Sequence, residues 1–107
     1  MGPETGADLY LSITIFMNYY YVSVLHNIEK DFTYIGYSSN LKQRIEYHKA
    51  HKVKSTKNHT PLTLVFYEAY IMKSDAKRRE KYLKTNKGRT TVMTMLKDYF
   101  DNRLTSQ

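Results

Sequence analysis

The fold is decided by the stretch Phe32-Thr-Tyr-Ile-Gly-Tyr-Ser-Ser-Asn-Leu-Lys-Gln-Arg44. Its first half, Phe32 to Tyr37, is rich in aromatic and β-branched residues, which predicts a short strand. Asn40, followed three positions later by Gln43, is typical of a helix start whose first amides are capped by side chains. We therefore expect a strand that passes directly into a helix running from Leu41 to about His51.

Two more strands are predicted around this stretch. The aromatic segment Tyr19 to Leu25 precedes it, and the short polar turn His26 to Asp31 favours antiparallel pairing of the two strands. A polar, basic loop from Lys52 to Thr60 follows the helix. The near-continuous apolar run Leu62 to Ala69 then predicts a third strand that is buried on both faces.

The C-terminal part predicts two more helices. One extends from Asp75 to about Asn86, with Ser74 as its N-cap and Gly88 as its stop signal. The other extends from about Thr91 to Phe100. Its apolar stripe consists of Val92, Met95, Leu96 and Tyr99. The order β-β-α-β-α-α predicts an α+β fold in which helices flank a three-stranded antiparallel sheet.

The composition narrows the possible functions. With 17 Lys and Arg against 10 Asp and Glu, the net charge is +7, which favours polyanionic partners such as nucleic acid, although it also suits a merely soluble surface. The absence of cysteine excludes disulfides, thiol catalysis and cysteine-based zinc sites. The apolar stretches are too short to span a bilayer and no secretory signal is present, so we expect a cytoplasmic location and no membrane partner.

Residues 1–16 differ in pattern from the rest of the chain. Met1 to Asp8 is loop-like, and Leu9 to Phe16 is apolar with high β-propensity. We expect residues 1–16 to be an N-terminal extension, such as a leader, and residues 17–107 to form a single domain that begins at Met17. The alternative is an additional strand at the edge of the sheet.

With the aromatic strand before it and the capped helix after it, Tyr34-Ile-Gly36 resembles the signature of the GIY-YIG nuclease superfamily. The resemblance extends from Tyr19 to about Leu96 and points to the small single-domain members that are similar to the N-terminal nuclease module of UvrC. It implies a metal-dependent endonuclease that uses Mg²⁺ or Mn²⁺ and hydrolyses phosphodiester bonds, cutting one strand per active site.

Arg44 and His48 are the first candidate site residues. They are four positions apart, so a helix places both on one face, next to Leu41 and Ile45. A guanidinium can donate two parallel hydrogen bonds to a phosphate and can offset charge in the transition state. An imidazole can relay a proton or bind a phosphate oxygen because it titrates near neutrality. The alternatives are a solvated arginine and an inert helical histidine.

Two tyrosines are candidates for handling the attacking water. Tyr34 belongs to the matched motif and could position or deprotonate water if positive charge lies nearby, or it could be an ordinary core residue of its strand. The family pattern has a catalytic tyrosine eleven positions earlier, where this chain has Ser23. Tyr21 lies on the same strand face, about 7 Å from Ser23, and is the nearest substitute. This departure bears on catalysis rather than on the fold.

Glu80 is the candidate metal ligand. Its spacing from Ala76 and Leu83 turns it toward the protein on the predicted helix. The resemblance implies that this glutamate binds the metal, and one carboxylate completed by water and phosphate oxygens is a common Mg²⁺ environment. The alternative is a carboxylate that is neutralised by the basic residues around it on the helix.

Lys52, Lys54 and Lys57 lie in the basic loop and could contact the phosphates of a nucleic acid, with DNA favoured over RNA; a solvated loop is the alternative. Three hypotheses result. The chain is a structure- or strand-directed endonuclease, a non-catalytic nucleic-acid-binding module with the same fold, or a basic protein-interaction domain. The resemblance favours the first hypothesis, and Ser23 is the feature that favours the second. No oligomeric state is predicted.

Overall fold

The structure, a computed structural model, describes residues 18–54 and 56–102. These residues form the following strands and helices: β1 (Tyr20–Asn27), β2 (Phe32–Ser38), α1 (Leu41–Lys49), β3 (Thr63–Tyr70), α2 (Lys73–Leu83), α3 (Asn86–Met95) and α4 (Lys97–Asn102). The order confirms the predicted α+β fold, with one helix more than expected. Residues 1–16 lie outside the described part. No helix within it is long and apolar enough to cross a membrane.

The three strands form one antiparallel sheet in the order β2-β1-β3. The expectation that the third strand is buried on both faces is wrong, because no residue of Thr63–Tyr70 is buried and Tyr67 is 52 % exposed. The buried strand is instead β1, which occupies the centre of the sheet and is buried from Val22 to Asn27. A continuous apolar run can therefore also form an edge strand with one largely exposed face.

His26 and Asn27 belong to β1 and not to the predicted turn. Both are buried, and polar partners compensate for their burial. The His26 ring lies 2.9 Å from the Tyr99 hydroxyl and 3.0 Å from an Asp31 carboxylate oxygen. The Asn27 amide donates to the carbonyl oxygen of His59 at 2.7 Å. Their polar character, which suggested a turn, instead joins β1 to two distant parts of the chain.

The start of α2 and the place of Gly88 differ from the prediction. The N-cap of α2 is Met72, which makes no side-chain cap bond, and Ser74 lies inside the helix. Gly88 does not stop a helix but lies in α3, where its amide donates to the Thr85 hydroxyl at 3.0 Å. A Cβ at this position would lie 2.0 Å from the Tyr82 carbonyl oxygen. Glycine therefore lets α3 pack directly against the end of α2.

Two predicted helix lengths are also corrected. The first helix ends at Lys49, because His51 adopts a φ of 60°. The last predicted helix is divided at Leu96, which caps α3 before α4 begins. Met95 is 44 % exposed, so the predicted stripe does not form one continuous buried face.

The hydrophobic core lies between one face of the sheet and the helices α2, α3 and α4. Its buried members are Val22, Val24, Ile35, Ala76, Leu83, Val92 and Phe100. Side chains alternate between the two faces of a strand. Ser23, Tyr34 and Gly36 therefore point to the opposite face, and this second face carries the candidate site.

Candidate active site

Tyr34 and Gly36 of β2 form the floor of the candidate site. A Cβ added to Gly36 would lie 2.9 Å from Cε1 of Tyr34, closer than real Cβ atoms come to another heavy atom. The absence of a side chain at position 36 therefore lets the Tyr34 ring lean over its own strand. The requirement for glycine two residues after Tyr34 thus has a direct steric cause.

Arg44 meets Tyr34 from the first turn of α1. The predicted cap is confirmed, because the Asn40 side chain accepts the Gln43 amide at 3.0 Å. Nη2 of Arg44 donates to the Tyr34 hydroxyl oxygen at 2.9 Å. Nε of Arg44 is buried without a hydrogen-bond partner among the described residues. The phenol of Tyr34 thus orients the guanidinium of Arg44, and the Nε donor of that guanidinium remains unsatisfied.

His48 lies one helical turn beyond Arg44 and is 1 % exposed. Its ring centroid lies 4.9 Å from that of Tyr34, and its Nδ1 lies 2.6 Å from the Thr56 hydroxyl. Burial, followed by the positive charge of Arg44, lowers the pKa of His48 from 6.5 to about 4. The expectation that this imidazole titrates near neutrality is therefore wrong. His48 is uncharged at neutral pH.

Two polar atoms of this cluster lack partners within the described ranges, namely Nε of Arg44 and Nε2 of His48. Buried polar groups in proteins are almost always hydrogen-bonded, and an unpaired one costs about 1–3 kcal/mol. A water would suit both atoms, since each is closed off from the protein surface. Protein groups among the described residues therefore satisfy this cluster only in part.

The basic loop is attached to this cluster. Thr56 is fully buried against His48, whereas Lys52, Lys54 and Lys57 on either side of it are exposed. The ammonium of Lys52 lies 5.6 Å from the centroid of the Tyr47 ring. The contact of Thr56 with His48 therefore holds the loop, with its exposed lysines, beside the candidate site.

The far end of the loop is held by the turn between β1 and β2. The His59 ring stacks on Phe32, with ring centroids 3.8 Å apart and planes inclined by 8°. Nζ of Lys30 donates to the Asn58 carbonyl oxygen at 2.7 Å. Contacts at Thr56 and at His59 thus fix the loop at two places.

Glu80 lies on α2, which packs against the core face of the sheet. Its side chain is 17 % exposed, and one oxygen accepts from Nζ of Lys84 at 3.2 Å. Glu68 is less free, since Arg79 and Tyr70 both donate to its carboxylate. The described residues contain no group of three or more His, Cys, Asp or Glu that could hold a metal ion. As a single carboxylate, Glu80 fits a hard cation that keeps water or phosphate oxygens as its other ligands.

The structure thus brings Tyr34, Arg44 and His48 together. No described hydrogen bond or ion pair joins Glu80 or Tyr21 to these three residues. Tyr21 lies at the start of β1, where it lines an open cavity of about 550 Å³ next to the first turn of α1. Its ring meets that of Tyr67 edge-on at 6.1 Å.

Sequence reasoning missed two residues of this face, Thr56 and Tyr67. Thr56 lies in a polar loop, and no local pattern distinguishes it from a solvated threonine. Tyr67 lies in an apolar run, and its position opposite Ser23 follows from the pairing of β1 with β3. That pairing could be inferred only after the strand order was known.

The sheet order, the capped helix after Tyr-Ile-Gly and the contact of Arg44 with Tyr34 define a small α+β domain with a polar cluster on the second face of its sheet. The model of the GIY-YIG catalytic domain matches residues 19–94, and the chain belongs to this family.

Similar proteins carry the name UPF0213. The chain is 45 % identical over 53 residues to a UPF0213 protein of Staphylococcus haemolyticus, and this match covers 49 % of the chain and 65 %, slightly less than two thirds, of that relative. It is 35 % identical over 77 residues to UPF0213 proteins of Streptococcus pyogenes serotypes M3 and M1, where the match covers 71 % of this chain and 83 % of theirs. No solved structure matches the chain.

Proposed function

We propose that the chain is a metal-dependent endonuclease that hydrolyses phosphodiester bonds in DNA and is directed by the structure or the strand of its substrate. The observation that carries this proposal is the cluster of Tyr34, Arg44 and His48, in which the phenol orients a guanidinium beside an uncharged imidazole. The net charge of +7 supports a polyanionic substrate.

Arg44 would bind the scissile phosphate. The Tyr34 hydroxyl oxygen occupies one hydrogen of Nη2, which leaves the other terminal donors of the guanidinium for phosphate oxygens, whereas Nε is buried. A hydrogen bond between charged groups in a water-poor site strengthens as negative charge grows on the phosphate oxygens. Arg44 would therefore stabilise the transition state more than the bound substrate.

Tyr34 and His48 would position the attacking water. Because Arg44 donates to the phenol oxygen, the hydroxyl hydrogen of Tyr34 remains free to bond a water or a phosphate oxygen. His48 is uncharged at neutral pH because burial lowers its pKa to about 4, so it would orient rather than protonate the groups near it. Tyr21 is an additional candidate for the phenol that Ser23 does not provide.

Glu80 would hold Mg²⁺ or Mn²⁺, because a single carboxylate suits a cation that keeps most of its water. When bound, such an ion polarises phosphate oxygens and stabilises the leaving oxygen. Lys77, one turn before Glu80, places its ammonium 4.1 Å from the centroid of the Tyr37 ring on the edge strand β2. We therefore propose that Glu80, three residues after Lys77 on the same helix, also faces this edge and is accessible to a phosphate backbone that crosses the sheet.

Lys52, Lys54 and Lys57 would hold the nucleic-acid backbone. All three are exposed, and the loop that carries them is fixed beside the cluster through Thr56. Contacts of lysine with phosphates add affinity without sequence specificity. We therefore propose recognition of backbone shape rather than of a base sequence.

A second candidate function is a non-catalytic nucleic-acid-binding module. The specific observation that favours it is Ser23, which stands where the family pattern has a catalytic tyrosine. Such a module would bind DNA with a strong salt dependence and would not cut it.

The test is incubation of the protein with supercoiled, branched and single-stranded DNA, with and without Mn²⁺. We expect nicking only with Mn²⁺, and we expect Glu80→Gln to abolish both the nicking and the rise in melting temperature that Mn²⁺ causes. Glu29→Gln, at an exposed position in the turn between β1 and β2, is the matched control and should behave as the wild type.

The other outcomes separate the alternatives. Nicking that persists in Glu80→Gln, together with lower thermal stability, would assign Glu80 to its ion pair with Lys84. A wild type that binds DNA in a salt-dependent manner but never nicks it would establish the binding module instead.

A further inference from the structure

Ser23 has two neighbours across the sheet. It pairs with Gly36 on β2 and with Tyr67 on β3. Residues that are directly opposite in adjacent strands point to the same face, with Cβ atoms about 4.5–5.5 Å apart. The face that carries Tyr34 therefore also carries the Tyr67 side chain, immediately beside Ser23.

Position 23 is covered although it holds a small side chain. Ser23 is 3 % exposed, and its neighbour Gly36 has no side chain that could cover it. Larger side chains nearby must therefore close over this position. Tyr67 is directly opposite and is itself 52 % exposed, so its ring lies at the surface of the protein beside Ser23.

We propose that Tyr67 supplies, from the neighbouring strand, the phenol that Ser23 does not provide, and that it contacts the attacking water. This inference rests on the proposed nuclease function. Tyr67 would accept a hydrogen bond from the water on its phenol oxygen and would form no covalent bond to the substrate.

Tyr67 is better placed for this role than Tyr21. In the β1–β2 register, Tyr34 pairs with Leu25, two residues after Ser23, whereas Tyr21 lies two residues before it. Along the strand direction, Tyr21 is about 13 Å and Tyr67 about 7 Å from the level of Tyr34. Because β3 is two strands from β2 and β1 only one, the full backbone separations from Tyr34 are about 14 Å for Tyr21 and about 12 Å for Tyr67. The rings of Tyr21 and Tyr67 meet edge-on with their centroids 6.1 Å apart, so that Tyr21 would restrict the orientation of the Tyr67 ring.

Tyr67→Phe removes only the hydroxyl group, and Tyr20→Phe is the matched control. Tyr20 lies on the core face of β1, away from the candidate site. Its ring stacks on that of Tyr37, with the ring centroids 6.4 Å apart. We expect Tyr67→Phe to lower the rate of Mn²⁺-dependent nicking by about tenfold or more, with unchanged DNA affinity and melting temperature. Tyr20→Phe should keep the wild-type rate.

A double variant tests the position of the phenol directly. Ser23→Tyr combined with Tyr67→Ala moves the ring from β3 to β1 and leaves room for it at position 67. We expect this variant to nick faster than Tyr67→Phe. Its melting temperature shows whether it is folded, and Tyr67→Phe decides the inference alone if it is not.

The results separate this inference from the proposed function. If the wild type nicks DNA and Tyr67→Phe nicks it equally fast, Tyr67 plays no part and only the present inference is overturned. Loss of nicking in Tyr21→Phe but not in Tyr67→Phe would assign the phenol to Tyr21. A wild type without nicking overturns both, and nicking by Ser23→Tyr would then locate the defect at position 23.

Discussion

Acidification should destabilise this domain through His48. The side chain is 1 % exposed, and burial together with Arg44 lowers its pKa from 6.5 to about 4. The unfolded chain takes up a proton near the ordinary pKa, whereas the folded chain does so only near the lowered one. Between these values the unfolded state binds more protons, so the free energy of unfolding falls as the pH falls.

The size of the effect comes from the two pKa values. The pKa of His48 falls from 6.5 to about 4, a difference of about 2.5 units. At ~1.4 kcal/mol per unit, full protonation of His48 lowers the free energy of unfolding by about 3 kcal/mol in total. About 2 kcal/mol of this should be lost by about pH 5, which is a large part of the stability of a small domain. Below about pH 4, where His48 is protonated in both states, it should cause little further loss in the free energy of unfolding.

The assay is urea unfolding at about pH 7.5 and about pH 5 for the wild type, His48→Gln and His51→Gln. His48→Gln should be less stable than the wild type at the higher pH, because it replaces a buried ring. Between the two pH values, the free energy of unfolding of His48→Gln should fall by about 2 kcal/mol less than that of the wild type. His51→Gln removes an exposed imidazole from the same region and should keep the wild-type difference.

The reasoning would be refuted if His48→Gln lost as much stability between the two pH values as the wild type. That result would mean that the folded protein protonates His48 without cost and that the ring is hydrated in solution. The role of an uncharged His48 in the candidate site would then have to be abandoned as well.

Three further predictions concern the loop, the motif glycine and the N-terminal segment. Lys54→Ala with Lys57→Ala should weaken DNA binding and reduce the slope of log K against log salt by about 0.9 per lost phosphate contact; titrations at several salt concentrations measure this. Gly36→Ala should displace the Tyr34 ring from Arg44 and lower stability by about 1–3 kcal/mol in urea unfolding, because the new Cβ overlaps Cε1. Removal of residues 1–16 should change the melting temperature by only a few degrees, and unfolding would show that they complete the sheet.

The candidate site was predictable to the extent that it is local. Arg44 and His48 lie on one helical face because of their spacing, and the contact of Arg44 with Tyr34 unites parts of one continuous stretch. The contact of His48 with Thr56 depends on the path of a loop, and loops have no periodicity to read. The pKa of His48 was mispredicted for the same reason, since only the folded loop and strand bury the ring.

The fold was predictable in its elements and less so in their arrangement. Periodicity identifies a strand but does not state which strand is central, and an apolar run such as that of β3 predicts burial on both faces even where the strand lies at an edge. Gly88 has the sequence pattern of a helix stop because glycine serves both helix ends and close contacts, and here it serves a close contact. Thr85, three residues earlier, caps α3 and was the clue that the next helix had already begun.

The two anchor points of the basic loop constrain how this protein can be redesigned or can diverge. Thr56 is fixed on His48, and His59 is stacked on Phe32 only three residues later. Each residue removed between these contacts would shorten the reach of the chain by about 3.3–3.6 Å. An inserted residue can extend into solvent at little cost. The exposed lysines can therefore be exchanged, and the loop can grow, but a shorter graft would separate Thr56 from His48 or His59 from Phe32.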